Sequence, residues 1–179
     1  MVDLSLYLST YRKTSWDPMK SESLIEDDQY PIYNFDEITT TLCRSWRMGE
    51  NLSSCDGLAI NGDKIYLIEF KNQRMMNIDK KVLSKKAYDS LYLLMQALYP
   101  DKSIRELKNR VVLYVVHQQS DSKSFDKFKD KAASFAKERH PVDFGLAKYR
   151  EFYSDVYTVG RAEFVKEHIR RIHADAKSF

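Results

Sequence analysis

The sequence predicts an α/β protein with a mixed central β-sheet flanked by helices, and three observations predict it. Residues 56–71 hold two apolar stretches joined at Asn61-Gly62, and Asn-Gly is the strongest short-range hairpin signal because both central residues of a type I′ turn need φ > 0. Arg110–His117 (R-V-V-L-Y-V-V-H) is a continuous β-branched run, the pattern of a strand buried on both faces. Around these, apolar residues recur at the spacing of amphipathic helices. The expected order is helix, hairpin, helix, strand, helix, strand, helix, which suits one sheet covered by helices.

Composition narrows the class. The chain has 179 residues, 43% apolar and 31% charged, with only nine Gly and Pro together. This suits one domain over 1–179 with a full-sized core and excludes a disordered or low-complexity chain. The longest apolar run, Val111–Val116, is too short for a membrane span. Met1–Ser5 lacks a basic segment followed by an apolar core, and Cys43 and Cys55 alone make no disulfide framework. A cytoplasmic protein is therefore expected. The net charge of +3 is uneven: residues 1–56 carry five Lys and Arg against ten Asp and Glu, and residues 57–179 carry 24 against 16. The basic portion favours a polyanionic partner, although a solvated basic surface gives the same count.

Taken in order, Asp3 can cap a helix Leu4–Arg12 with Leu4, Leu8 and Tyr11 at helical spacing. Thr14–Tyr33 contains Trp16, Pro18, Pro31 and the acidic run Glu26-Asp27-Asp28, and is expected as an irregular loop or a specificity element. Residues 1–34 thus stand as an N-terminal extension. Asn34 opens a helix Phe35–Arg47, with Ile38, Leu42 and Trp46 repeating and Gly49 ending it. The hairpin strands are Asp56–Ile60 and Ile65–Lys71. A long helix follows over Ile78–Tyr99, stopped by Pro100, with Leu83, Ala87, Leu91, Leu94 and Leu98 as its buried stripe. If Arg110–His117 runs parallel to Ile65–Lys71, this helix is the crossover between them. Its end, His117-Gln118-Gln119, then lies at the ligand-collecting carboxyl edge, where His117 is an accessory candidate or a plain surface residue. A helix Phe125–Arg139, a helical turn within Val142–Ser154, a strand Val156–Val159 and a helix Arg161–Ala174 complete the chain. The last helix is expected to bury Ala162, Val165, Ile169 and Ile172. No P-loop, Gly-rich dinucleotide turn or Cys/His zinc spacing is present.

Side chains alternate along a strand, so Ile65, Leu67, Glu69 and Lys71 share a face. A two-residue turn at Asn61-Gly62 pairs Asp56 with Leu67 and leaves it diagonal to Glu69, roughly 7–8 Å between backbones. A four-residue loop pairs Asp56 with Glu69 directly. Either register puts both carboxylates and the Lys71 ammonium on one patch. Carboxylate oxygens are the ligands Mg²⁺ prefers, usually one or two with water and substrate phosphate completing the shell. Lys71 is then placed to orient or deprotonate an attacking water, or to oppose developing charge.

Asp56, twelve intervening residues, then Glu69-Phe70-Lys71 resembles the motif of the PD-(D/E)XK, or restriction-endonuclease-like, nucleases. The resemblance covers mainly Asp36 to His117. It implies a restriction-endonuclease-like core and phosphodiester hydrolysis, with DNA expected ahead of RNA. It also implies Mg²⁺ or Mn²⁺ held by Asp56 and Glu69, with Lys71 assisting the water. Gln73 completes the extended form E-x-K-x-Q as a supporting residue. One departure is Cys55 where the family often has Pro. In the family the preceding helix often supplies another carboxylate, for which Glu37 is the best candidate. A first-turn acid favouring the helix dipole explains Glu37 equally well. On the long helix, Lys81, Lys85, Tyr88 and Tyr92 line up at i, i+4, i+7, i+11, suited to steadying a phosphate backbone and stacking on a base. The same stripe also fits a half-exposed face with long stems lying over apolar surface. No Gln stands four residues before either tyrosine, so the branch bearing a Q-x-x-x-Y signature is not supported. The alternative function is a non-catalytic nuclease-like fold that binds nucleic acid or protein. A homodimer or a protein partner is compatible with either.

Overall fold

A computed structural model of the chain describes residues 2–118 and 142–174. Among them the strands are β1 (Leu8–Thr10), β2 (Trp16–Asp17), β3 (Glu22–Ser23), β4 (Pro31–Asn34), β5 (Gly57–Asn61), β6 (Lys64–Arg74), β7 (Val111–Gln118) and β8 (Asp155–Gly160). The helices are α1 (Tyr11–Thr14), α2 (Phe35–Ser45), α3 (Lys80–Leu98) and α4 (Ile104–Leu107). A last helix, α5, is built of three contiguous pieces: Arg161–Glu163, a π-helical Phe164–His168, and Ile169–Ile172. The expected helix Phe125–Arg139 lies outside the described residues.

Six strands form one mixed sheet in the order β1-β4-β5-β6-β7-β8, and β2 pairs with β3 separately. Pairing is antiparallel from β1 through β6 and parallel from β6 to β7 and β7 to β8. The protein is α/β, a central mixed sheet flanked by helices. No helix among the described residues is long and apolar enough to cross a membrane. Cys43 and Cys55 are buried and unbridged.

The alternation of β6 divides the core. Ile65 and Leu67 face α2 and α3, joining Phe35, Ile38, Leu83, Leu91, Leu94, Leu113 and Val115. Ile68 and Phe70 face the other way, joining Tyr11, Ile25, Ile32, Tyr114, Val116, Phe164 and Ile169. That second face is knit by edge-on rings: Tyr11 lies 6.3 Å from Phe70 and 5.8 Å from Phe164, a geometry ring quadrupoles favour.

Four local expectations change. Asp3 does cap, its carboxylate accepting from the Ser5 N–H at 3.0 Å, but only a 3₁₀ turn Leu4–Tyr7 follows. Leu8–Thr10 instead pairs with β4, Leu8 opposite Tyr33 and Thr10 opposite Pro31, because a waiting strand edge outweighs helical spacing. The segment expected as an extension thus contributes two strands to the sheet. In the hairpin, Asn61 pairs with Lys64 and Ile60 with Ile65, so the turn is Gly62-Asp63 rather than Asn61-Gly62. Gly62 takes the positive φ, +57°, while the Asn61 amide stays in the strand and donates to the Ile172 carbonyl at 2.9 Å. In α2, Trp46 is exposed and Leu42 half-buried, since the helix ends at Ser45. In α5, Phe164, His168, Ile169 and Ile172 are buried, whereas Ala162 and Val165 are exposed. The π-helical turn explains this: it winds wider than 3.6 residues, so Phe164 and Ile169, five apart, point the same way.

Candidate active site

Asp56, the residue before β5, is held by both of its backbone groups. Its N–H donates to the Ile68 carbonyl at 3.1 Å and its carbonyl accepts from the Phe35 N–H at 2.9 Å. The ladder keeps the register of the second expected arrangement as far as Gly57 opposite Ile68; Asp56, just outside the strand, turns its N–H to the Ile68 carbonyl instead of pairing with Glu69. The preceding loop is stapled to both helices. Ser53 N–H donates to the Asp89 carboxylate at 3.0 Å and Cys55 N–H to the Ser90 hydroxyl at 2.7 Å. Thr39 donates to the Ser54 hydroxyl at 2.8 Å, and Ser54 to Asp36 at 2.6 Å. Asp36, in the first turn of α2, thus helps hold the loop that carries Asp56.

Four charged side chains converge. Asp56 Oδ2 accepts from the Phe70 N–H at 2.6 Å, and Oδ1 lies 3.3 Å from Lys86 Nζ. Glu69 is 1% exposed; its Oε2 lies 2.9 Å from Lys86 Nζ and its Oε1 2.8 Å from Lys71 Nζ. The Lys71 contact lies off the hydrogen-bonding direction, so Glu69 Oε1 is buried, charge-paired and without a hydrogen bond. Asp56, Glu69 and Lys71 are therefore gathered on the face of β6 that looks toward α3. Lys71 lies opposite His117 of β7, which is 6% exposed, so the patch borders the carboxyl edge of the parallel strands. At the back of β6, Lys20 donates to the Asn72 carbonyl and Asn72 to Glu22 at 3.0 Å, anchoring the β2–β3 hairpin there.

Lys86 is the member sequence reasoning missed. The stripe of Lys81, Lys85, Tyr88 and Tyr92 on this helix is one position out of phase with it. Lys86 stands three residues after buried Leu83 and four before buried Ser90, and a lysine on a buried stripe requires an anion inside. That spacing was the signal that could have found it.

Burial and the neighbouring Glu69 charge push the Asp56 carboxyl up to about 7, against the opposing pull of Lys86 and the Phe70 N–H. For Lys86, burial works against the charge, but Glu69 and Asp56 outweigh it and drive the ammonium above the usual lysine range. Burial, then Glu69, pushes the Cys55 thiol up, so it stays protonated and is no nucleophile.

The remaining expected site residues lie outside this cluster. Gln73 is exposed at the end of β6, where the register against β7 slips between Lys71 and Arg74. Glu37 is exposed in the first turn of α2, its N–H accepted by the Asn34 side chain at 3.2 Å. Among the described residues, no three His, Cys, Asp or Glu side chains are grouped to hold a metal; Asp56 and Glu69 form a pair that Glu37 does not join. Lys81, Lys85, Tyr88 and Tyr92 are all exposed on α3. The Lys85 ammonium is engaged by Asp89 at 2.7 Å and the Ser53 hydroxyl at 2.9 Å. Tyr92 lies 6.3 Å from the Trp46 ring, and Tyr88 and Tyr92 border a shallow aromatic groove with Ile104, Tyr149 and Phe152.

No protein-family model, curated protein or solved structure matches this chain.

Proposed function

We propose that the chain is a Mg²⁺- or Mn²⁺-dependent nuclease with a restriction-endonuclease-like core, hydrolysing phosphodiester bonds, DNA ahead of RNA. The observation that carries this reading is the convergence of Asp56 and Glu69 on one nitrogen, with a second ammonium, Lys71, 2.8 Å from Glu69. The hairpin, crossover helix and parallel strand around it accord with that core.

The donor set fits a hard divalent cation. Two carboxylates are the usual protein share of a Mg²⁺ shell, the rest being water and phosphate, and Glu69 Oε1 is a buried oxygen without a hydrogen bond. Asp56 and Glu69 would hold the ion, whose chemistry there is to polarise a phosphoryl oxygen and acidify a water. Lys71 would act from the chain's side: its ammonium can orient the attacking water and oppose charge building on the phosphate. Lys81, Tyr88 and Tyr92 offer a phosphate contact and stacking surfaces for the nucleic acid.

The second reading is a non-catalytic nuclease-like module. Lys86 favours it, because its ammonium already pairs with both carboxylates without any ion. Incubating the protein with plasmid, linear and single-stranded DNA and with RNA, with and without Mg²⁺ or Mn²⁺, separates the two. Ion-dependent cleavage that disappears in Asp56→Ala supports the nuclease; binding without cleavage under either ion supports the module.

A further inference from the structure

We propose that Lys86 is a built-in cation occupying the seat shared by Asp56 and Glu69, and that a divalent ion binds there only by displacing its ammonium. The inference rests on the ion-dependent reading above and adds a competitor inside the protein.

All four carboxylate oxygens have neighbours, and they are not equivalent. Asp56 Oδ2 is taken by the Phe70 N–H at 2.6 Å, and Glu69 Oε1 faces Lys71 at 2.8 Å. Asp56 Oδ1 and Glu69 Oε2 both point at Lys86, at 3.3 and 2.9 Å. That oxygen pair is the one the two carboxylates turn toward a common point, and the common point is the Lys86 nitrogen. An ion bridging the same oxygens needs contacts of about 2.0–2.1 Å, which places it on top of an ammonium of like charge. The two cannot share the seat.

The lysine is equipped to leave. Its side chain is 20% exposed, and the ammonium sits at the end of a flexible four-carbon stem. Its neighbour one turn back, Val82, is exposed on the same helix, leaving surface along which the stem can lie. Lys71 is not the competitor, since of the two carboxylates it pairs with Glu69 and not with Asp56. With the ion absent, Lys86 holds buried Glu69 and half-buried Asp56 together; with the ion present, the same carboxylates would be held by the ion. The affinity for the ion is then reduced by the fraction of molecules in which the seat is open.

The test uses the full chain and the ion alone. Mn²⁺ affinity is measured by titration calorimetry for the wild type, Lys86→Met, Lys86→Arg and Glu69→Gln. Displacement predicts that Lys86→Met binds Mn²⁺ about tenfold tighter or more, that of a seat open in roughly a tenth of molecules. Lys86→Arg should stay as weak as wild type, and Glu69→Gln should abolish binding. In the wild type, Mg²⁺ should raise acetylation of Lys86 several-fold by mass spectrometry, a readout that stands even if Lys86→Met does not fold. Equal or weaker binding in a folded Lys86→Met, or Lys86 acetylation unchanged while the ion binds, overturns the displacement and leaves the nuclease reading intact. If neither ion binds the wild type or any folded variant, the ion-dependent reading falls and this inference with it.

Discussion

In the proposed ion-dependent nuclease Lys71 and Asp56 would have separable tasks, so their substitutions should separate too. An ammonium repels a cation, so Lys71→Ala should leave ion and nucleic-acid binding largely intact. Cleavage should fall by roughly 10²-fold or more, the scale of removing one general-base or electrostatic contributor; parallel binding and cleavage assays check this. Asp56, pushed up to about 7, gives a pH signature with a defined sign. Below that value the folded carboxyl holds a proton that a cation must expel, so the thermal shift produced by Mg²⁺ should be larger at pH 8 than at pH 6. Without the ion the sign reverses. Between the ordinary value of 3.8 and about 7 the folded state binds more protons than the unfolded one, so this group's contribution to stability declines as pH rises. Of these residues, Asp56, Glu69 and Lys71 were legible because strand parity puts them on one face in either register. Lys86 was not singled out, because its part depends on how α3 is rotated against the sheet, and only the buried-stripe spacing hinted at it.

At the scale of elements, α3 serves two surfaces. Its inner face delivers Lys86 to the carboxylates and Ser90 to the Cys55 N–H, and its outer face carries the lysine and tyrosine stripe. Each lysine that neutralises a phosphate contributes about one to the slope of log K against log salt. Lys81→Ala should lower that slope accordingly in a salt titration of nucleic-acid binding. Lys85→Ala should lower it less, because Asp89 already neutralises its charge at 2.7 Å. An equal drop for both would mean that the Lys85 pair opens on binding. Long periodic elements such as α3 and unbroken apolar runs such as β7 were legible, since burial imprints itself over many residues. β1 was not: its Leu8 fits a helical spacing with Leu4 and Tyr11, and the partner that decides the matter, β4, lies about twenty residues on. The π-helical turn of α5 was invisible for a related reason, because Ala162 and Val165 fit a 3.6-residue period that the helix does not keep.

Over the whole molecule, the N-terminal segment and α5 close against each other on the aromatic face. Tyr11 hydroxyl meets His173 Nε2 at 3.1 Å, and the His173 ring stacks on Tyr30 at 5.0 Å. Burial lowers the His173 pKa below 6.5, against an opposing pull from Asp27. The unfolded chain therefore binds more protons in the window just under 6.5, and stability should fall as pH drops through it. Asp56 slopes the opposite way over the same window, so the His173 component is read as a difference: in thermal melts from pH 7.5 to 5, wild type should lose stability relative to His173→Gln as pH falls. The sheet's class and mixed character were legible from the hairpin and the buried strand, whereas the clasp between distant ends was not, since no periodicity connects residue 11 with residue 173. The alternation of β6 carries one more implication, for length rather than composition. Glu69 and Lys71 occupy one phase of the strand, Ile68 and Phe70 the other. Inserting or deleting a single residue between Ile65 and Glu69 would exchange the phases, sending the carboxylate into the rings and the rings toward α3. Descendants of this sequence can vary β6 residue by residue, but a change in its length by one forfeits core and site together.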